Sequence, residues 1–308
     1  MKTGNYTKYI VIALTVIFII AAALLVLEFK WGKGDDFSDP ETSDNSNVTY
    51  NDREYTLKEN IESFLVIGTD RFSNSDTAES HESGVQADFL MLLVFDNASE
   101  KFTALHINRD TMVNVDKLAI GGIKVDTFTK QIALSYNYVA DDNEKVKCGN
   151  VKTSVEHLLN GIKIDHYLSL TMDSVAVMND LVGGVEVTVL DDFSGVDDEL
   201  VKGEKVTLMG DKVLTYIRSR KGLDDSTNST RMIRQRQYLN ALYQKALECA
   251  KNDESFVLNA SVKMADHMVS DCASNQLAEL AQTIVEYEFT GIRTIEGQNI
   301  VGEKYMEF

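Results

Sequence analysis

The run Asp88-Phe89-Leu90-Met91-Leu92-Leu93-Val94-Phe95 constrains the fold of this chain more than any other stretch. After Asp88 it has no polar face, so a strand built from it must be covered on both sides. Two shorter apolar runs flank it. Phe64-Leu65-Val66-Ile67 ends at Gly68-Thr69-Asp70-Arg71, and Phe102 to Ile107 ends at Asn108-Arg109-Asp110-Thr111. Each of the three expected strands therefore carries a charged cluster at one end. Helical patterns follow. Asn150 is read as the cap of a helix with Val151, Val155, Leu158 and Leu159 on its apolar face and Gly161 at its exit. His166 to Leu170 reads as a strand, and Asp173 opens a helix that Gly183-Gly184 stops. Val185, Val187 and Val189 alternate as a half-exposed strand. A short helix is expected over about 210–217 and a long one over about 229–250, with Ser274 capping a last one. Strands alternating with helices indicate a layered α/β domain.

Tyr9 to Leu27 holds no charge and no proline, with Lys2 and Lys8 before it. About 20 such residues span a bilayer core, whereas the apolar region of a cleaved signal peptide runs to about 7–15. An uncleaved anchor is therefore expected, and the preceding lysines keep the N-terminus cytoplasmic. This divides the chain into a cytoplasmic tail (1–8), a single transmembrane helix (9–28), a flexible acidic stalk (29–60) and an extracytoplasmic domain (61–308). The expected location is the cell membrane, single-pass, with everything past the anchor outside the cytoplasm.

The 308 residues carry 48 acids against 30 bases, a net charge of −18, which disfavours a nucleic-acid partner. Outside the cytoplasm thiols can oxidise, so one disulfide is expected among Cys148, Cys249 and Cys272. Cys148 with Cys272 is the favoured pair, because Cys249 falls in a helical pattern where it can serve as a small buried hydrophobe.

Enzyme fingerprints such as GxSxG, HExxH, a Walker loop or GxGxxG are absent. The anomaly is a basic cluster in an acidic chain: Arg218, Arg220, Lys221, Arg231, Arg234 and Arg236. Arg231, Gln235 and Tyr238 share a helix face, and Arg231 lies in the first turn, where free N–H groups favour an anion. The alternatives are surface salt bridges to the surplus acids or a grip on phosphate. Acids at strand ends, Asp70, Asp88 and Asp110, beside such arginines suggest Mg²⁺ with a phosphorylated ligand. The Asp-rich stretch near residue 191 reads as a solvated loop.

Six segments, in order, resemble the LytR-CpsA-Psr family of bacterial envelope proteins. They are Gly68-Thr69-Asp70-Arg71, Asp88-Phe89-Leu90-Met91-Leu92, Ile107-Asn108-Arg109-Asp110-Thr111, Gly183-Gly184-Val185-Glu186-Val187, Tyr216-Ile217-Arg218-Ser219-Arg220 and Arg231-Met232-Ile233-Arg234-Gln235-Arg236-Gln237. The resemblance implies a central mixed β-sheet flanked by helices, enclosing an apolar pocket with a diphosphate and Mg²⁺ (or Mn²⁺) at its mouth. It implies a phosphotransferase that moves a glycopolymer, of teichoic acid or capsular polysaccharide type, from a polyprenyl diphosphate donor to a peptidoglycan hydroxyl. Carried over by position, Asp70 and Asp88 match the metal acids. Arg71, Arg109, Arg218, Arg220, Arg231 and Gln235 match the diphosphate grip, and Asp110 matches the acid that orients Arg109. Asp88, Arg109 and Asp110 are the expected catalytic group, and loss of Asp70 or Asp88 is expected to abolish turnover while sparing the fold. Departures from the family pattern are Gln86 in place of an arginine, Asn108 in place of a proline and Thr230 in place of a glycine. A non-catalytic binder of polyprenyl-linked glycans, regulating envelope assembly, and a hydrolase of the same donor are the rival readings.

Overall fold

The three apolar runs form adjacent strands. The computed structural model describes residues 47–50, 52–71, 84–220, 222–223, 228–253, 256–272, 276, 280, 283, 287–301 and 306–308. Strands β3 (Ile61–Thr69), β4 (Ala87–Asp96) and β5 (Lys101–Ile107) pair antiparallel in that order. Strand β8 (His166–Leu170) joins parallel to β3. The edges are β11 (Met268–Ser270), antiparallel to β8, and β12 (Glu288–Thr294), parallel to β5. The six-stranded sheet is therefore mixed, in the order β11-β8-β3-β4-β5-β12.

Alternation along a strand sends neighbouring side chains to opposite faces. Phe64, Val66, Met91, Leu93 and Phe95 pack on one face, with Phe289 and Leu280. Leu65, Ile67, Leu90 and Leu92 pack on the other, against Val151 and Val155 of helix α1 (Glu144–Leu158). Fully burying each such side chain contributes about 1.5–3 kcal/mol. A third core gathers α2 (Asp173–Leu181), the hairpin of β9 (Val185–Thr188) with β10 (Lys205–Leu208), α3 (Asp211–Arg218), α4 (Asn228–Asn252) and α5 (Phe256–Met264). Beyond the main sheet, β6 (Met112–Leu118) and β7 (Lys124–Gln131) form a separate hairpin.

Helix α1 begins earlier than the sequence suggests. Asn143 is its cap, accepting the Lys145 N–H at 2.9 Å. Asn150 instead lies mid-helix and buried, its amide donating to the carbonyls of Asp116 (2.9 Å) and Ser135 (2.7 Å). Asparagine favours caps from sequence alone, but here two buried acceptors recruit it to the interior. Asn150→Leu should lower stability by about 1–3 kcal/mol, because both carbonyls lose a donor that water cannot replace. Urea unfolding measures this, and an unchanged midpoint would show the amide to be dispensable.

The transmembrane reading of 9–28 lies outside the described residues, and among these no helix is long and apolar enough to cross a membrane. Within the segment read as stalk, β1 (Asn47–Tyr50) and β2 (Arg53–Thr56) form an antiparallel hairpin whose second strand is exposed throughout. That exposure suits its polar composition. The expected Cys148–Cys272 bridge does not form, and all three cysteines are free. Cys148 packs into the core on one face of the sheet and Cys272 against the other, so the thiols are separated by the sheet itself. Of the helix expected from Ser274, most positions lie outside the described residues, while Leu280 is helical and buried.

Candidate active site

Topology brings the charged clusters together. Because β4 runs antiparallel to both neighbours, its start lies beside the ends of β3 and β5, with Thr69 opposite Ala87 and Ile107 opposite Leu90. Strand β8 parallels β3, placing Leu170 beside Gly68 and Thr171 at the same end. Over this end stand the exit of α3 and the first turns of α4.

Asp88 is the hub. One carboxylate oxygen accepts from Arg109 Nη1, and the other lies 3.5 Å from Arg231 Nη1. Arg231 Nη2 also donates to the Asp88 carbonyl at 3.4 Å. Arg109 Nη2 donates to Gln86 Oε1, and Arg109 Nε sits 3.3 Å from Asp110 Oδ1. Gln131 Nε2 donates to the same Asp110 oxygen at 3.2 Å, while Arg220 Nη1 lies 3.6 Å from the other. Arg218 and Gln235 line the same cavity. Asp70 accepts the Gln86 N–H at 2.6 Å, and its charge acts on Arg109. The structure thus brings together Asp70, Asp88, Arg109, Asp110, Arg218, Arg220, Arg231 and Gln235. Arg71 is placed differently: its guanidinium pairs with Glu144 of α1 at 2.8 Å, and its carbonyl accepts from Met172.

The departures from the family pattern have local reasons. Gln86 accepts a hydrogen bond from Arg109, which an arginine cannot do. Asn108 Oδ1 accepts the Asp110 N–H at 3.0 Å and Asn228 Nδ2 at 2.7 Å, tying the Arg109 turn to the start of α4. Sequence reasoning missed Gln131 and Asn228 and marked Gln86 only as a lost arginine, since a neutral amide leaves no charge signal. It counts Arg234 in the basic cluster but not in the diphosphate grip, and the structure gives Arg234 the salt-bridge role. Arg234 is only 1% exposed and spends its donors on the Tyr216 carbonyl (2.9 Å), the Ser219 carbonyl and Asp191, over the Phe193 ring. It fixes the turn that carries Arg218 and Arg220. Asp191 is therefore an ion-pair partner, while Asp192, Asp198 and Glu199 of the same stretch are exposed as in a solvated loop.

The electrostatics are unbalanced toward positive charge. Arg231 is 3% exposed and is pushed down to about 9, first by burial and then by Arg220, with Asp110 opposing and Arg234 and Arg218 adding. Arg109 is pushed down to about 10, by burial and then by Arg231. Guanidinium groups stay charged in proteins, so these shifts express the cost of burying two neighbouring cations. Arg109 Nε, Arg231 Nε and Asp110 Oδ2 are buried without a hydrogen bond. Burial and the arginines push His106, behind Phe89, down to about 3, so that ring is neutral.

Beside this cluster opens a cleft whose space, counted together with the part open to solvent, is about 680 Å³. Val66, Ile67, Phe89, Val175, Tyr238 and Leu239 form apolar wall, and Asp88, Arg218, Arg231 and Gln235 lie at its polar side. Gly68 permits this shape: a Cβ there would sit 2.9 Å from Phe89 Cβ, forcing that wall to move. An apolar cavity ending in buried arginines suits a ligand with a greasy tail and an anionic head.

The LytR_cpsA_psr family model matches residues 33–307, and the chain belongs to that family. A relative from Halalkalibacterium halodurans, named polyisoprenyl-teichoic acid–peptidoglycan teichoic acid transferase TagU, is 29% identical over 173 residues, covering 56% of this chain and 51% of its own. The cell wall biosynthesis protein LcpA of Corynebacterium glutamicum is 24% identical over 269 residues, covering 80% and 49%. A TagU of Enterococcus faecalis is 24% identical over 285 residues, covering 91% and 84%. The chain thus spans about half the length of the first two relatives. Among solved structures, TagT bound to LI-WTA superposes with a TM-score of 0.56 at 19% identity, covering 81% of this chain and 84% of that one. Bacillus subtilis TagV gives 0.54 at 23%, covering 82% and 91%. The mixed α/β fold is shared with both.

Proposed function

We propose that the chain is a glycopolymer phosphotransferase, anchored in the cell membrane through residues 9–28 with its domain outside. Its donor is a polyprenyl-diphosphate-linked glycan and its acceptor a peptidoglycan hydroxyl. The observation that carries this reading is the gathering of Arg109, Arg218, Arg220 and Arg231, two of them buried, at the mouth of an apolar pocket. Family relatives named as teichoic acid transferases support it.

The polyprenyl chain occupies the apolar cavity, and Arg109, Arg218, Arg220 and Arg231 hold the diphosphate oxygens, with Gln235 beside them. A sugar hydroxyl attacks the phosphorus nearer the glycan. A new P–O bond forms, the P–O bond to the bridging oxygen breaks, and polyprenyl phosphate leaves with the electron pair. Negative charge grows on the equatorial and leaving oxygens, where fixed guanidinium groups stabilise it without reorganising. The hydroxyl proton needs an acceptor. Asp88 and Asp110 each face two arginines; Asp110 Oδ2, with Arg220 3.6 Å away, makes no hydrogen bond, and we assign the proton to it.

Asp70 and Asp88 are carboxylates at adjacent strand ends, the donor type that Mg²⁺ or Mn²⁺ takes together with substrate phosphates; Asp70 would bind through the oxygen the Gln86 N–H does not hold, and Asp88 by exchanging an arginine for the ion. When bound, the ion supplies further neutralisation of diphosphate charge. Arg71, held by Glu144, reaches the ligand only if that pair opens.

Product analysis tests the assignment. Purified chain, a polyprenyl-diphosphate glycan and peptidoglycan should yield glycan linked to peptidoglycan through one phosphate, with polyprenyl phosphate released. Glycan phosphate set free into water would make it a hydrolase, and binding without turnover a non-catalytic carrier.

A further inference from the structure

We propose that His166, Asp271 and Cys272 form a separate binding site for a zinc-class divalent ion, at the far end of β8 from the arginines. One donor atom from each, a ring nitrogen, a carboxylate oxygen and a thiol sulfur, lie within 4.8 Å of one another. His166 opens β8 while Leu170 closes it beside the active site, so the two places are roughly 13 Å apart along the strand. The cluster is thus no part of the diphosphate site.

The donor chemistry selects the ion. A nitrogen, a sulfur and an oxygen donor suit zinc or a similar borderline-soft ion, whereas magnesium and calcium take oxygen alone. A tetrahedral zinc ion with bonds of about 2.0–2.3 Å spaces its ligands roughly 3.3–3.8 Å apart. His166 Nδ1 is already 3.8 Å from Asp271 Oδ1. Small side-chain rotations complete three ligands, and partial exposure of His166 and Asp271 leaves the fourth position to water.

The surroundings are organised as ligand supports. The Tyr167 N–H donates to Asp271 Oδ1 at 2.8 Å, and Lys152 Nζ lies 3.3 Å from Oδ2. Ser270 Oγ accepts the Cys272 N–H at 3.1 Å and donates to the Tyr167 carbonyl at 2.6 Å, fixing the turn that carries both ligands. The Gln276 side-chain amide lies 3.3 Å from His166 Nε2. Turned with its oxygen toward the ring, it accepts the Nε2 proton and leaves Nδ1 for the ion, the arrangement ligating histidines commonly use. The ion would pin edge strand β11 and the following turn to β8, a structural role.

The full chain, purified reduced in mild detergent, is titrated with Co²⁺ and then Zn²⁺. The expected result is tetrahedral visible bands with a near-ultraviolet thiolate-to-cobalt band, removed by Zn²⁺. Cys272→Ser should abolish the thiolate band. Cys272→Ser and His166→Gln should each weaken Zn²⁺ by more than the about 10- to 100-fold typical of losing an outer hydrogen bond. Cys249→Ser should leave binding unchanged. A wild type with no thiolate band, or a Cys272→Ser variant that keeps it, would overturn the proposal.

Discussion

Arg231→Lys should lower glycan transfer by about 100- to 1,000-fold, the cost of removing one fixed donor from a developing oxyanion. The charge is kept, but a lysine cannot present the planar fork that spans two phosphate oxygens. Arg231→Gln should go further and abolish transfer while leaving the empty protein more stable, by on the order of 1 kcal/mol. The direction follows from linkage. The folded value near 9 lies below the ordinary 12.5, so folding disfavours the protonated form, and the folded protein carries that cost in full at every pH below about 9. Removing the charge removes the cost. Urea unfolding of the ligand-free variant provides the measurement. A Gln variant markedly less stable than wild type would mean that Arg231 is a structural ion-pair residue whose charge Asp88 already balances.

Asp88→Asn should stop transfer and also destabilise the protein by about 3–5 kcal/mol, the usual result of breaking a buried ion pair from one side. This differs from the expectation that an Asp88 variant keeps its fold. The reason is that Asp88 faces both Arg109 and Arg231, each almost wholly buried. With its charge gone, the two guanidinium groups repel each other through a low-dielectric interior. A double variant, Asp88→Asn with Arg231→Gln, should therefore regain much of the lost stability without regaining transfer. Strict additivity of the two stability changes would show that the pair is not coupled.

How far the fold and site were legible follows from what each residue reports locally. Runs such as Phe64–Ile67 and Phe89–Phe95 announce buried strands because no other structure covers both faces of so short a segment. The hairpin of β6 and β7 was not legible. Most of β7 is exposed, and its Lys, Asp and Thr residues carry no burial pattern to read. Strand β12, interrupted by Gly291 and a register shift, hid for a similar reason. Charged residues at strand ends marked the site, since antiparallel pairing had to bring some of them together. Helix spacing set Arg231 on a face with Gln235 and Tyr238, but it did not say what Arg234, three residues on, would touch. Only the packing shows that Arg234 is consumed by Asp191 and two carbonyls while Arg231 faces the cavity. The neutral partners Gln86, Gln131 and Asn108 are invisible to any search for charge, yet they hold Arg109 and Asp110 in place.

The most direct measurement is the stability of the wild-type chain with a short polyprenyl diphosphate, by thermal shift and calorimetric titration, with and without Mg²⁺. An anion that relieves the crowding of Arg109 and Arg231 should stabilise the fold by roughly 2.7 kcal/mol at a concentration 100 times its dissociation constant. Mg²⁺ should deepen the effect, and Arg231→Gln should lose it. A well-folded wild type that gains no stability from high micromolar ligand would contradict the account, because the buried arginines would then serve some purpose other than holding a diphosphate.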